Sequence, residues 1–184
     1  MLRSALRSLA RLGAAALLAG LTAACFQPLY GERTLSGGPG LRTVLAAVEV
    51  AQIDAPPATP VSRLAVDVRN ELTYLLTGGG GALSPTHRLK ITLAVSGTSL
   101  IVDPNTGRPE VEIAGLDANY TLTELASAKP VITGTAVHRV PYDVPGQQQR
   151  LGMLRAQRDA QSSAAKVIAE QIRTRLAAYF AAGS

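Results

Sequence analysis

The chain has 184 residues, with 18 Lys and Arg against 13 Asp and Glu, two Phe, five Tyr and no Trp. Three of the arginines, Arg3, Arg7 and Arg11, fall in an N-terminal segment that reads as a targeting signal. The remaining 15 against 13 offer no concentrated basic face of the kind nucleic acid selects. Cys25 is the one cysteine, so no disulfide can form within the chain, and a body of this size must hold together by packing alone.

The basic start leads into an apolar run from Leu12 to Leu21, then the small residues Thr22, Ala23 and Ala24 before Cys25. From Leu12 to Ala24 is about 13 residues, short of the ~20 that a helix needs to cross the hydrocarbon of a bilayer. Residues 1–24 are therefore expected to be a lipoprotein signal that is removed on secretion. Cys25 would take diacylglycerol on its thiol and a fatty acyl chain on the amine that cleavage frees. The usual Leu three residues before such a cysteine is replaced by Thr22, with Leu21 one place further back. Each buried methylene contributes ~0.8 kcal/mol, and two or more chains hold a protein stably on a membrane. No other cofactor is expected.

Residues 25–43 read as a tether. Phe26-Gln27-Pro28-Leu29-Tyr30-Gly31 is followed by Ser36-Gly37-Gly38-Pro39-Gly40, a poor former of helix or strand. Phe26, Leu29 and Tyr30 are unusual in a plain linker. They either pack on the body or lie against lipid or a partner.

A single domain is expected over 44–184. Val44 to Ile53 reads as a strand with Val48 and Val50 on one face, stopped by Asp54-Ala55-Pro56-Pro57-Ala58. Thr59 can cap a helix with Pro60 at its first position, and Val61, Leu64, Ala65, Val68, Leu72, Leu75 and Leu76 follow at helical spacing. Gly78 suits a left-handed cap. The run Gly78 to Gly81 follows its helix and lacks Gly-Lys-Ser/Thr, so it is no phosphate loop.

In His87 to Leu100, Leu89, Ile91, Leu93 and Val95 alternate with Arg88, Lys90, Thr92 and Ala94, the pattern of an antiparallel sheet covered on one side. Asp103-Pro104-Asn105-Thr106-Gly107 is a strong turn, and Val111 to Thr123 should return as a hairpin. The apolar phase slips at Gly115-Leu116, which suggests a bulge. Val131 to Val140, rich in Val and Thr, reads as a third strand of a meander.

The last element, from about Gln147 to Ala182, is helical. Its second half carries an apolar side of Ala165, Ile168, Ile172, Leu176, Tyr179 and Phe180. Its first half has few large apolar residues, and at 1.5 Å per residue the whole would reach ~50 Å, so the first part should project or contact something else. The order β-α-β-β-β-α predicts an α+β two-layer sandwich, two helices on one face of a four-stranded sheet.

Signs of catalysis are few. His87 and His138 have no Cys or carboxylate at metal-ligand spacing, and neither Gly-x-Ser-x-Gly nor His-Glu-x-x-His occurs. Glu110 and Glu112 share a strand face but sit beside a turn, where such a pair is commonly solvated. No catalytic or metal site is expected.

A lipidated cysteine followed by Phe26-Gln27-Pro28-Leu29-Tyr30, then β-α-β-β-β-α in about 160 residues, resembles the lipopolysaccharide-assembly lipoprotein family LptE. Family members commonly have Gly between the Cys and the Phe, which this chain lacks. The resemblance implies a non-catalytic lipoprotein on the periplasmic side of the outer membrane. Such a protein plugs and helps assemble the LptD β-barrel and contacts lipopolysaccharide on its way to the outer leaflet. Phe26 stands where an Asp would retain a lipoprotein at the inner membrane in enteric bacteria, in keeping with that location. Lipopolysaccharide is anionic, so its contacts should be basic, and Arg88, Lys90, Arg108, Lys129 and Arg139 are the candidates. The same residues could simply solvate an exposed sheet and discourage edge pairing; Arg150, Arg155 and Arg158 on the last helix are equally ambiguous. The competing reading is an auxiliary periplasmic lipoprotein of another lipid transporter.

Overall fold

A computed structural model describes residues 39–144 and 150–182. Cys25, the signal segment and the Phe26 to Gly31 stretch lie outside the described residues.

Among the described residues the order is α1 (Leu41–Ala46), β1 (Val48–Val50), α2 (Pro60–Thr77), β2 (His87–Val102), β3 (Pro109–Glu124), β4 (Pro130–Asp143) and α3 (Arg150–Ala181). The strands form one sheet in the order β1-β2-β3-β4. β2, β3 and β4 make the expected antiparallel meander, while β1 runs parallel to β2 with α2 as the crossover, so the sheet is mixed. Both long helices lie on one face, α2 over β1 and β2 and α3 over β3 and β4. The α+β two-layer sandwich anticipated from the sequence is the fold, with the short α1 added.

The expected strand from Val44 to Ile53 is the main departure. Its first part is helical because the Gly40 carbonyl accepts from the N–H groups of Thr43 and Val44, while Leu41 and Leu45, four apart, turn one apolar side into the core. Only Val48-Glu49-Val50 is strand, with both valines buried and Glu49 exposed.

α2 begins and ends as its sequence predicts. The Thr59 hydroxyl accepts from the Ser62 N–H at 3.3 Å, Pro60 occupies the first turn, and Gly78 closes the helix at φ 66°. Leu64, Val68 and Leu72 of α2 and Ile168, Ile172 and Leu176 of α3 are wholly removed from water, against Leu89, Leu116 and Leu122 of the sheet. Each such side chain contributes about 1.5–3 kcal/mol by burial. Ala160, Ala164, Ala165 and Ala169 line the same side of α3 and let it approach closely. The one buried polar side chain among the described residues, Gln161, is satisfied by the Arg63 guanidinium, which joins α2 to α3.

No bulge occurs at Gly115-Leu116; the β2–β3 register runs through it, with Ser96 opposite Gly115 and Val95 opposite Leu116. The apolar phase changes because the strand turns different faces to different surroundings. Ala114, Leu116, Ala118, Tyr120 and Leu122 face the helices, whereas Val111 and Ile113 lie on the uncovered face. The irregularities fall instead near Leu100 and between Leu122 and Thr123. Tyr120 lies buried across Gly134 of β4, where an added Cβ would come within 2.5 Å of its hydroxyl oxygen.

The long hairpin outruns the helices. From Ser96 to Val102 every residue of β2 is exposed. Its turn is closed by Asp103, whose carboxylate accepts from the Asn105 N–H and the Thr106 hydroxyl, each at 2.8 Å, with Gly107 at φ 66°. Those bonds hold the Asp103 carboxyl below the usual carboxylate range. α3 projects as expected: its buried residues begin at Ala160, and Leu151 and Leu154 are exposed. No helix among the described residues is long and apolar enough to cross a membrane.

Candidate functional site

Among the described residues the face of the sheet opposite the helices is bare. Strand alternation places Glu49 of β1, Arg88, Lys90, Thr92, Ala94 and Ser96 of β2, alternate residues from Thr123 back to Val111 of β3, and Thr133, Thr135, Val137 and Arg139 of β4 on it. Pairing brings Lys90, Thr121 and Thr133 into one row and Thr92, Asn119 and Thr135 into the next. These side chains line a shallow groove of about 370 Å³. The Thr135 hydroxyl donates to the Asn119 carbonyl oxygen at 2.8 Å, which fixes the amide.

The five basic candidates separate by environment. Arg88 reaches across the parallel pair to the Glu49 carboxylate at 3.0 Å. Arg139 makes a two-pronged bond to Asp117, 2.9 and 3.0 Å, and also donates to the His138 carbonyl at 3.1 Å. Gly115 permits this, because an added Cβ there would meet the Ser96 hydroxyl oxygen at 2.3 Å and Arg139 Nε at 2.9 Å. Lys90 has no carboxylate partner among the described residues and stands over the hydroxyl-rich groove. Three of the five therefore share the bare face, and of these Lys90 alone keeps its charge unpaired. Arg108 and Lys129 lie at opposite ends of the sheet, in the β2–β3 and β3–β4 turns. They join no cluster with the other three. Arg150, Arg155 and Arg158 are exposed on the projecting part of α3.

The carboxylate pair does not act as one. Glu112 accepts from the Tyr142 hydroxyl across β3 and β4, while Glu110 is exposed. Partial burial, then the bond to Glu112 and its negative charge, push the Tyr142 hydroxyl up to about 12. His87 packs edge-on against Phe180, with ring centroids 5.1 Å apart, and its Nδ1 meets the Thr86 hydroxyl at 2.9 Å. Among the described residues no three His, Cys, Asp or Glu side chains gather where a metal could be held.

The groove residues Asn119, Thr121, Thr133 and Thr135 were not candidates from sequence. Their spacing of two was visible within each strand, but only the register between strands puts them beside Lys90. What the groove offers chemically is one ammonium group and several neutral donors and acceptors on an open, wet surface.

No family model matches the chain, and no curated protein matches it. Among solved structures, it is similar to a candidate lipoprotein from Caulobacter crescentus CB15, with 20% identity, TM-score 0.59, and 79% of this chain and 98% of that one covered. The likeness shows a shared fold. Weaker matches include the rare lipoprotein B of Shewanella oneidensis (12% identity, TM-score 0.45, 73% and 97% covered) and a lipoprotein B of Nitrosomonas europaea (14%, 0.49, 75% and 90%).

Proposed function

We propose that this chain is a non-catalytic, lipid-anchored lipoprotein on the periplasmic side of the outer membrane. It fills and helps assemble an LptD-type β-barrel and assists passage of lipopolysaccharide to the outer leaflet. The observation that carries this reading is the bare, polar sheet face, whose hydroxyls, amide and unpaired Lys90 suit a water-lined lumen and an anionic, sugar-bearing ligand. The fold shared with the Caulobacter candidate lipoprotein supports it.

The topology suits an anchor at Cys25. The end of α1 lies beside the approach to β2, through bonds from Leu83 N–H to the Ala46 carbonyl and from Thr86 N–H to the Ala47 carbonyl. The end of α1 thus lies at the end of the body where β2 begins, and the hairpin turn at Asp103 to Arg108 lies at the opposite end. A body so mounted presents its hairpin and the start of α3 to whatever lies beyond the membrane surface.

The test is affinity purification of the tagged, full-length protein from detergent-solubilised outer membrane. Recovery of a large β-barrel protein in near-equal amount supports the plug. Recovery of inner-membrane transporter subunits, or of nothing, overturns it, and the former favours an auxiliary lipoprotein of another transporter.

A further inference from the structure

We propose that the ring of Tyr30 seats in a pocket between α1, the end of α2 and α3, and so pins the tether beside the point where it joins the domain. The docking goes beyond the function proposed above and does not rest on it. Its consequence at the membrane rests on the anchor at Cys25.

The pocket holds about 260 Å³ and is lined by Arg42 and Leu45 of α1, Leu75, Leu76 and Gly78 at the end of α2, and Arg173 of α3. That is smaller than the ~300–1,000 Å³ of most small-molecule sites and suits one side chain. Its floor is apolar. Leu45 and Leu76 are buried, so the open part of the floor is Leu75, which packs on the core yet stays only half-buried. Its rim is cationic. Arg42 is exposed, and its guanidinium lies so close over Gly78 that a Cβ there would come within 3.1 Å of Nη2. Gly78 caps α2, whose last carbonyls carry partial negative charge and hold the guanidinium there. Arg42 has no carboxylate partner among the described residues, and no acidic residue lines the pocket. A ring laid on Leu75 beneath this guanidinium would lose water and meet the cation with its π face.

The chain's own tether supplies that ring. Tyr30 stands ten residues before Gly40, the cap of α1, and ten residues span up to ~33 Å. Arg42 and Leu45 follow that cap within the six-residue α1, so reach is not limiting. Ser36-Gly37-Gly38-Pro39-Gly40 has the composition of a turn, which lets the chain double back. A segment tied this closely is presented at an effective concentration on the order of millimolar. Charge agrees with the placement. Glu32, the one acidic residue between Cys25 and Pro39, follows Tyr30 by two and comes to the two arginines of the rim. Leu29 has no π face to offer Arg42, and Phe26 directly follows the anchoring cysteine.

Docking shortens the tether. From Cys25 to Gly40 the chain could extend ~50 Å, whereas from Cys25 to a seated Tyr30 it extends at most ~17 Å. The end of the body that carries the pocket is then held near the lipid surface instead of standing at any height up to the longer limit.

The test is Tyr30→p-benzoylphenylalanine in the full-length chain, illuminated in membranes of the expressing bacterium, with the adduct mapped by mass spectrometry. A link within one chain to the peptide that bears Leu75 is expected, and Leu75→Ser and Arg42→Glu should each lower its yield several-fold. Tyr30→Ala should lower Tm by about 2–4 °C, and Tyr30→Phe should leave it unchanged. Adducts only with lipid, with another protein or with a second copy overturn the proposal. So does a yield indifferent to Arg42→Glu, or a Tm that Tyr30→Ala does not move. If Leu75→Ser fails to fold, Arg42→Glu, at an exposed residue, decides. Palmitate labelling of Cys25 is read in parallel. Its absence overturns the short standoff and not the docking, so failure of the anchor and failure of the docking are distinguishable.

Discussion

Within the β2–β3 hairpin, the half beneath the helices and the half beyond them are built on the same two strands, yet they hold together differently. Near the base, Leu89, Ile91 and Leu93 face Leu116, Ala118, Tyr120 and Leu122 in a closed core. Past Val95 the ladder continues with Gly97, Thr98 and Ser99 against Ala114, Ile113 and Glu112, and Ala114 is the last of these residues to be buried. The backbone ladder needs no core to propagate once started, provided β4 stays paired as far as Asp143 opposite Val111. Free energy is concentrated in the base, while the bare half contributes surface.

The sharpest separation of the halves comes from truncating one side chain in each. Leu72→Ala or Ile172→Ala, both fully buried against the base, should cost about 3 kcal/mol in urea unfolding. Leu100→Ala should change stability by no more than ~0.5 kcal/mol. A comparable loss at Leu100 would mean that the tip packs on something in solution.

Gly134→Ala probes how tightly the base is fitted, since its Cβ would strike the Tyr120 hydroxyl and ring. Overpacking of this kind costs roughly 1–3 kcal/mol, and the double variant Gly134→Ala with Tyr120→Leu should recover part of it in the same assay.

The tip has a pH signature of its own. Tyr142 titrates at about 12 when folded, against an ordinary value of 10.0, so above pH 10 the unfolded chain gives up this proton first. Stability from this group is complete below pH 10 and falls as pH rises toward 12. The side chain is only partly buried, which keeps the effect small. Thermal melts across that window should show the fall in the wild type and a shallower one in Tyr142→Phe.

The smallest effects lie in the turn between β3 and β4 and on the bare face. Ala128 has φ 56°, and Ala128→Gly should raise stability by about 1 kcal/mol. Lys90→Ala should leave the melting curve unchanged, whereas Asp117→Asn, which breaks the exposed pair with Arg139, should cost under ~1 kcal/mol. A marked loss on removing Lys90 would argue that it serves the fold rather than the groove.

The sequence made some of this readable and some not. α2 announced itself through Thr59, Pro60 and Gly78 because caps and breakers act locally. The alternation of β2 did the same because one face is buried and one is wet. α1 was hidden, since six residues cannot display a helical period and Val44, Val48 and Val50 imitate a strand. The bare face was half legible. Arg88, Lys90 and Arg139 could be named, but Arg139 is neutralised by Asp117 and Arg88 by Glu49 through contacts between strands, and register is not written within any one of them. For the same reason the threonines around Lys90 could not be gathered into a groove, nor Arg108 and Lys129 set apart at the two ends.

The three-residue β1 also decides how the body answers to force. Chain N-terminal to Pro39 feeds through α1 into Val48, so any tension on that side reaches β1 before the meander. Because β1 runs parallel to β2, a pull along its axis loads its few bonds together in shear, whereas a pull across the sheet peels them one by one. Either way β1 is the weak link in the mechanical path, and it can give way while β2, β3, β4 and the two long helices stay packed.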